Sequence, residues 1–196
     1  MKRNIGSLFI AILVAAGSII SAPAATAAPR QDSWEQDTKA TPAEVAELKK
    51  LQKIAGKPVT YQPSLSESDN GLLTTASVDL FVCELHPSVV HLRSSSGNGA
   101  VGAKPYTKCL AGTPSQITHD STLYMVEWFG LSYVSLASKS QTAYNTLSMT
   151  LTSLEWWCRN TNNSKFVQKT NGSSVQAGRT YYASVSTVQS TLSCGK

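Results

Sequence analysis

The number and spacing of the cysteines most constrain how this chain can fold. The 196 residues include four cysteines, Cys83, Cys109, Cys158 and Cys194. No two of them have the C-x-x-C spacing of a structural zinc site, so no metal site is predicted. An even set of cysteines in an exported chain most simply forms two disulfides, for which three pairings are possible. We predict sequential pairing, Cys83 with Cys109 and Cys158 with Cys194, because each bond then joins consecutive parts of the strand pattern.

The first 27 residues have the layout of a secretory signal peptide. A lysine and an arginine follow the first methionine, residues 5–16 form a largely apolar run, and Ala25-Thr26-Ala27 offers an A-x-A cleavage pattern. The run is too short to span a hydrocarbon core of about 30 Å, although an uncleaved anchor is the alternative. We therefore expect a secreted, extracellular mature chain that has no membrane contact after the signal is cleaved.

Composition divides the rest of the chain near residue 75. Residues 28–75 carry six basic and seven acidic residues, whereas residues 76–196 carry nine basic, five acidic and all three histidines. In the first region, Thr41-Pro42-Ala43-Glu44 has the pattern of a capping box with proline at the first helical position. This predicts an amphipathic helix over about 42–55, followed by a linker over 57–75. We expect the helix either to dock on the neighbouring domain or to be a removable or partner-binding segment.

The second region changes to a hydrophobic period of two. Apolar and polar residues alternate from Val78 onward, and Asn171-Gly172 predicts a hairpin turn after a short strand that contains Phe166. Only 15% of the residues are charged, and 27 serines and 19 threonines supply the polar surface instead. This composition excludes a coiled coil and a strongly basic nucleic-acid binder. The pattern predicts a mainly β fold, an antiparallel β-sandwich of the immunoglobulin-like kind over 76–196 with an N-terminal helical extension.

Three stretches of the second region form local motifs beside the cysteines. They are Cys83-Glu84-Leu85-His86-Pro87, Gly102-Ala103-Lys104-Pro105-Tyr106 and Ala177-Gly178-Arg179-Thr180-Tyr181-Tyr182. Together with the cysteine spacing, these stretches resemble uncharacterised small secreted two-disulfide β-domain proteins of actinobacteria. The resemblance covers about 76–196 and implies a small two-disulfide β domain in a secreted protein. It implies no activity and transfers no functional residue.

Adjacent aromatic residues are the best candidates for a binding site. Trp156 is next to Trp157, and Tyr181 is next to Tyr182, so on strands one ring of each pair must point away from the core. Such rings can stack on sugar rings or anchor a protein partner, unless the predicted helix covers them. We expect a non-catalytic binding protein at or outside the cell surface. Its partner would be an envelope polysaccharide or a protein, with no cofactor.

A small hydrolase is a further possible function. His119-Asp120-Ser121 contains the three residue types of a hydrolytic triad, but triads are assembled in space, and adjacent strand residues point to opposite faces. A turn or strand end is therefore the prediction for this stretch. Glu127, between Val126 and Trp128, is the one other candidate acid in the second region. A hydrolase would require a pocket that gathers at least two such polar groups.

The stretch between the first two cysteines offers another alternative. A protease inhibitor or toxin-like factor would act through a protruding loop such as 93–100, which has the composition Ser-Ser-Ser-Gly-Asn-Gly at its centre. His86 and His91 also lie in this stretch, on either side of a proline. They are predicted to be structural or surface histidines, because no carboxylate-rich loop completes a metal site.

Overall fold

Strands account for most of the residues that the computed structural model describes, which are 35–63 and 81–196. The predicted signal peptide, 1–27, and most of the predicted linker lie outside these residues. The elements are, in chain order, β1 (Glu35–Lys39), α1 (Pro42–Gln52), β2 (Val59–Thr60), β3 (Gln62–Pro63), β4 (Val82–His86), β5 (His91–Leu92), β6 (Ala100–Gly102), β7 (Tyr106–Ala111), β8 (Gln116–Glu127), β9 (Ser132–Tyr144), β10 (Ser148–Thr150), β11 (Trp156–Trp157), β12 (Asn160–Gln176), β13 (Arg179–Ser186) and β14 (Ser190–Gly195), with one-turn 3-10 helices at Ser94–Ser96 and Trp128–Gly130.

The strands pair into three antiparallel sheets. The large sheet has seven strands in the order β1-β9-β8-β12-β13-β3, and β14 pairs with another part of β12. A four-stranded sheet has the order β10-β7-β4-β2, and a three-stranded sheet has the order β11-β6-β5. The predicted mainly β, antiparallel fold is confirmed. β1, β2 and β3 were not predicted, yet each pairs with a strand of the second region, so the described part of the first region contributes to the sheets.

Two hydrophobic clusters hold the small sheets against one face of the large sheet, which we call the inner face. Beneath the three-stranded sheet, Trp156 packs on Phe166 of β12 with ring centroids 6.3 Å apart. Beneath the four-stranded sheet, Phe81 packs on Tyr181 of β13 at 4.4 Å. The two small sheets therefore share one side of the molecule, and the opposite, outer face of the large sheet is left to other elements.

The two disulfides pair the cysteines in sequence order, as predicted. Cys83 bonds to Cys109 across β4 and β7, and Cys158 bonds to Cys194. Each cluster between the layers contains one of these bonds. The sequence separations are 26 and 36 residues. Loops of this length restrict the unfolded chain enough to contribute roughly 3.5–4 kcal/mol each in the chain-entropy model.

The predicted helix forms and packs on the outer face of the large sheet. It spans Pro42–Gln52, three residues shorter than predicted, and Thr41 and Glu44 make both hydrogen bonds of the capping box. Leu48 is fully buried and lies in a third cluster with Tyr124, Tyr133 and Val167. The apolar stripe of α1 therefore covers one end of that face. No helix in the described ranges is long and apolar enough to cross a membrane.

The predicted hairpin turn at Asn171-Gly172 is wrong. Both residues lie inside the 17-residue β12, and the chain turns after Gln176, where Ala177 and Gly178 have positive φ. Glycine is required at 172 for a different reason: a Cβ there would overlap the Tyr61 hydroxyl, which approaches β12 from the opposite layer. An Asn-Gly pair can therefore lie inside a strand, where the glycine lets a neighbouring side chain approach, and still look in sequence like the Asn-Gly pair of a hairpin turn.

Candidate ligand-binding face

The structure separates the four predicted aromatic residues into two buried and two exposed. Trp156 and Tyr181 are 1% and 6% exposed and belong to the core, so they are excluded from a surface site. Trp157 and Tyr182 are 46% and 53% exposed. One ring of each adjacent pair therefore points outward, as the alternation of strand side chains predicts.

The two exposed rings do not form one site. Tyr182 lies on β13 next to Tyr181, whose ring is in the inner cluster, so Tyr182 projects from the outer face of the large sheet. Trp157 follows Trp156 on β11, so it projects from the far side of the three-stranded sheet. It lies over the turn at Gly99, where a Cβ would be 3.4 Å from its ring. The sandwich lies between these two rings.

Polar residues from four strands line up in rows across the end of the outer face near Tyr182. The strand register places them in two complete rows, Tyr182–Ser173–Thr118–Thr142 and Ser184–Asn171–Asp120–Ser140, read from β13 through β12 and β8 to β9. Thr122 and Ser138 continue a third row toward α1. None of these ten residues is buried. We call this set of ten residues the polar face.

Hydrogen bonds between neighbouring strands fix the side chains of the polar face. The hydroxyls of Thr118 and Thr142 are 2.9 Å apart, and those of Thr122 and Ser138 are 3.0 Å apart. On the other side, the Ser184 hydroxyl donates to Asn171 Oδ1 at 2.9 Å. A hydroxyl that makes one such bond keeps further donor or acceptor capacity for a ligand. These six side chains of the polar face are therefore fixed in position as hydrogen-bond donors and acceptors.

A second tyrosine, which the sequence analysis did not single out, projects from β9 just beyond the polar face, at the same end of the face as Tyr182. Tyr144 is 67% exposed and lies two residues beyond Thr142 on β9, so both point to the same side. Tyr182 is level with Thr142, so it lies three strands away from Tyr144 and two residues along the strand direction. At normal sheet spacing this places the Cα atoms of the two tyrosines roughly 16 Å apart. Ser173 and Thr118 of the first row thus lie between the two exposed phenol rings, and the second row lies beside them, toward α1.

The α1 helix forms a wall along the other end of the polar face. Lys169 is 9% exposed and its ammonium group pairs with the carboxylate of Glu47 on the helix. A groove of about 430 Å³ lies where this wall meets the sheet. Its lining residues include Glu44, Asp120, Thr122, Lys139, Lys169 and Asn171. The polar face is therefore bordered on this side by a concave groove with charged lining residues.

The hydrolase candidates do not come together around His119. The prediction of a turn or strand end there is wrong, because His119, Asp120 and Ser121 lie within β8, with His119 and Ser121 buried and Asp120 on the polar face. His119 Nε2 is 2.7 Å from the Thr107 hydroxyl, which is 2.8 Å from the Tyr61 hydroxyl. Burial lowers the pKa of His119 to about 4, although nearby Asp120 raises it. The imidazole is therefore neutral at pH 7 and belongs to a buried polar network.

The other candidate titratable residues are dispersed over the surface. Glu127 ends β8, and its carboxylate lies 3.8 Å from the ammonium group of Lys196. His86 stacks on Tyr106 with ring centroids 4.5 Å apart, and His91 Nδ1 lies 2.9 Å from the carbonyl of Val89. The described ranges contain no group of three His, Cys, Asp or Glu side chains that could hold a metal ion.

The predicted interaction loop at 93–100 is a closed connection between β5 and β6. Arg93 is buried, and its carbonyl accepts hydrogen bonds from the amides of Ser96 and Asn98 at 3.0 Å. The Ser96 hydroxyl donates to the Glu155 carboxylate at 3.0 Å, which ties the loop to the segment before β11. The loop is therefore fixed in position, with Ser94 and Ser95 exposed at its surface.

Comparison with protein families, with curated proteins and with solved structures finds no match to this chain. The resemblance to secreted actinobacterial β-domain proteins therefore stays an expectation from sequence. The polar face is an array of exposed side chains that the fold assembles from four separate strands.

Proposed function

We propose that this chain is a secreted, non-catalytic binding protein that holds an envelope polysaccharide on the polar face. The observation that carries the proposal is the pair of exposed rings, Tyr144 and Tyr182, at the two sides of one end of the polar face. Sugars have apolar ring faces that stack on aromatic rings and hydroxyls that both donate and accept hydrogen bonds. The polar face offers partners for both kinds of contact.

The shape of the site favours a chain rather than a small molecule. A small ligand is usually enclosed in a concave pocket, whereas the polar rows lie on a sheet surface that is open on one side. Two rings roughly 16 Å apart would contact separate units of an extended oligosaccharide. The hydroxyls of Ser173 and Thr118 would contact the units between the two rings, and the side chains of the second row would contact the edge of the oligosaccharide that faces α1. Binding of this kind gains specificity from several weak contacts.

Alanine variants of the two tyrosines test the proposal. The purified chain would be mixed with insoluble envelope polysaccharides, including peptidoglycan sacculi, and the bound fraction measured after sedimentation. We expect Tyr182→Ala to weaken binding roughly tenfold and Tyr144→Ala/Tyr182→Ala to weaken it further, since each loses a stacking contact. Trp157→Ala is the matched control, because it removes an exposed ring on the other side of the sandwich.

Three results would contradict the proposal. The first is that the wild-type chain binds none of the polysaccharides, and the second is that it binds them equally well after both tyrosines are removed. Equal loss of binding in Trp157→Ala would show that the contact is a general property of exposed rings. Circular dichroism of each variant checks that the fold is retained.

A further inference from the structure

The turn between β8 and β9 is the most apolar projection among the described residues. Its residues Trp128 and Leu131 are 74% and 71% exposed, the highest values among the large hydrophobic residues whose burial is described. A 3-10 turn at Trp128–Gly130 joins the strands directly after the last pair, Glu127 with Ser132. The two side chains thus extend beyond the end of the sheet, where they contribute little to the core.

The backbone of this turn has an uncommon conformation. Trp128 has φ +49°, in the left-handed region that bulky residues rarely adopt, and Gly130 has φ +90°. A conformation of this kind costs free energy and persists where the flanking structure imposes it. Here the paired strands β8 and β9 hold both ends of the turn. The hairpin thus holds the backbone of Trp128 in place while its side chain stays exposed.

Basic residues surround the base of the same hairpin. Lys165 lies opposite Val126 in the strand register, and Lys39 lies opposite Val134. Two further basic groups, Lys196 and Arg159, lie within 4 Å of the nearby carboxylates. Those carboxylates are Asp37 and Glu127. Within the described part of the chain, these acids are balanced, and Lys39 and Lys165 add positive charge on the two sides of the hairpin.

We propose that the β8–β9 turn is a peripheral anchor for a lipid bilayer with anionic headgroups. Trp128 and Leu131 would enter the interface, where tryptophan is favoured because its ring is apolar and its N–H can meet polar headgroups. Lys39 and Lys165 would remain at headgroup level and attract anionic lipids. Two apolar side chains give shallow, reversible attachment rather than insertion across the bilayer. A protein partner would require a matching pocket, whereas a bilayer requires only this apolar tip and basic flank.

The anchor is independent of the proposed polysaccharide site and departs from the sequence expectation of no membrane contact. β8 spans roughly 37 Å from Gln116 to Glu127 at the usual rise per residue, so the turn and Tyr144 lie at opposite ends of the large sheet. Attachment at one end leaves the polar face accessible. Either proposal can therefore fail without the other.

Sedimentation with lipid vesicles tests the anchor. Binding of the full mature chain would be measured on phosphatidylglycerol vesicles and on phosphatidylcholine vesicles at low salt. We expect binding to the anionic vesicles, and a decrease of at least about tenfold in the partition coefficient of Trp128→Ala/Leu131→Ala, since both side chains lose a bilayer contact. Lys39→Gln/Lys165→Gln should weaken binding to the anionic vesicles alone. Trp157→Ala should bind like the wild type.

A second measurement keeps the test valid if the double alanine variant folds poorly. Trp128→Phe preserves an apolar tip, and lipids brominated near the headgroup quench only tryptophans in contact with them. We expect these lipids to quench the fluorescence of the wild-type chain. In Trp128→Phe most of that quenching should be absent. No vesicle binding, equal binding of Trp128→Ala/Leu131→Ala, or quenching unchanged by Trp128→Phe would overturn the proposal. A turn that instead mediates self-association, detected as a lower oligomeric state of the double variant without lipid, would also overturn it.

Discussion

The outer face of the large sheet has two ends that are built on the same strands but differ in chemistry. At one end, outward residues such as Tyr124, Tyr133 and Val167 are buried beneath α1. At the other end, β8 and β12 direct Thr118 and Ser173 outward, and these are not buried. The sheet backbone is common to both ends. The difference shows that outward side chains decide which part is covered by the helix and which is left as the polar face.

The largest effect should come from the covered end. Leu48→Ala removes a fully buried side chain between α1 and the sheet and should lower the free energy of unfolding by about 2–5 kcal/mol. The matched change on the polar face, Thr142→Ala, should alter it by about 0.5 kcal/mol or less. Urea unfolding followed by circular dichroism measures both values. Similar losses in the two variants would mean that the polar face also has a structural role.

Acid should destabilise the layer beneath the polar face through His119. Its pKa is about 4 in the folded chain and near 6.5 in an unfolded one, so folding favours the neutral ring. The stabilisation is complete above pH 6.5 and is lost progressively as the pH falls from 6.5 to about 4, a total of roughly 3 kcal/mol. His119→Gln does not titrate, so its unfolding free energy should fall less over this range. Parallel pH curves would contradict the prediction.

A smaller effect is expected at the border between the two ends. Glu47→Gln removes the carboxylate that faces the nearly buried ammonium group of Lys169 and should destabilise the chain by about 1 kcal/mol, because Glu47 itself is partly exposed. Lys169→Met/Glu47→Gln should recover part of that loss, since no unpaired charge is then buried. Additive losses in this double-mutant cycle would show that the pair contributes no coupling.

Local patterns predicted features that depend on near neighbours. The capping box at Thr41 placed the start of α1, and strand alternation gave one buried and one exposed ring at Trp156 and Trp157. Features that depend on distant residues were missed. Gly172 resembled a turn because the approach of Tyr61 cannot be read from the sequence around it. The two-residue strands β2 and β3 are too short to show a period.

The same limit explains why only one of the two exposed tyrosines at the site was foreseen. Tyr182 was a candidate because it adjoins Tyr181, but Tyr144 has no aromatic neighbour in sequence. The alternation Ser138, Ser140, Thr142 and Tyr144 does indicate a polar strand face. Its meaning depends on the register of four strands from separate parts of the chain, which places Tyr144 and Tyr182 on one surface. Register of this kind is fixed by the whole sheet.

The smallest expected change in stability belongs to the variant with the largest expected change in binding. Tyr144→Ala/Tyr182→Ala removes two exposed rings, so the free energy of unfolding should stay within about 0.5 kcal/mol of the wild type while polysaccharide binding falls. Leu48→Ala should lose stability but keep polysaccharide binding at temperatures where it remains folded, because it leaves the polar rows intact. A stability loss of several kcal/mol in the tyrosine variant would mean that these rings pack against the chain itself. The polar face would then be a covered surface like the end beneath α1, and the contrast between the two ends would disappear.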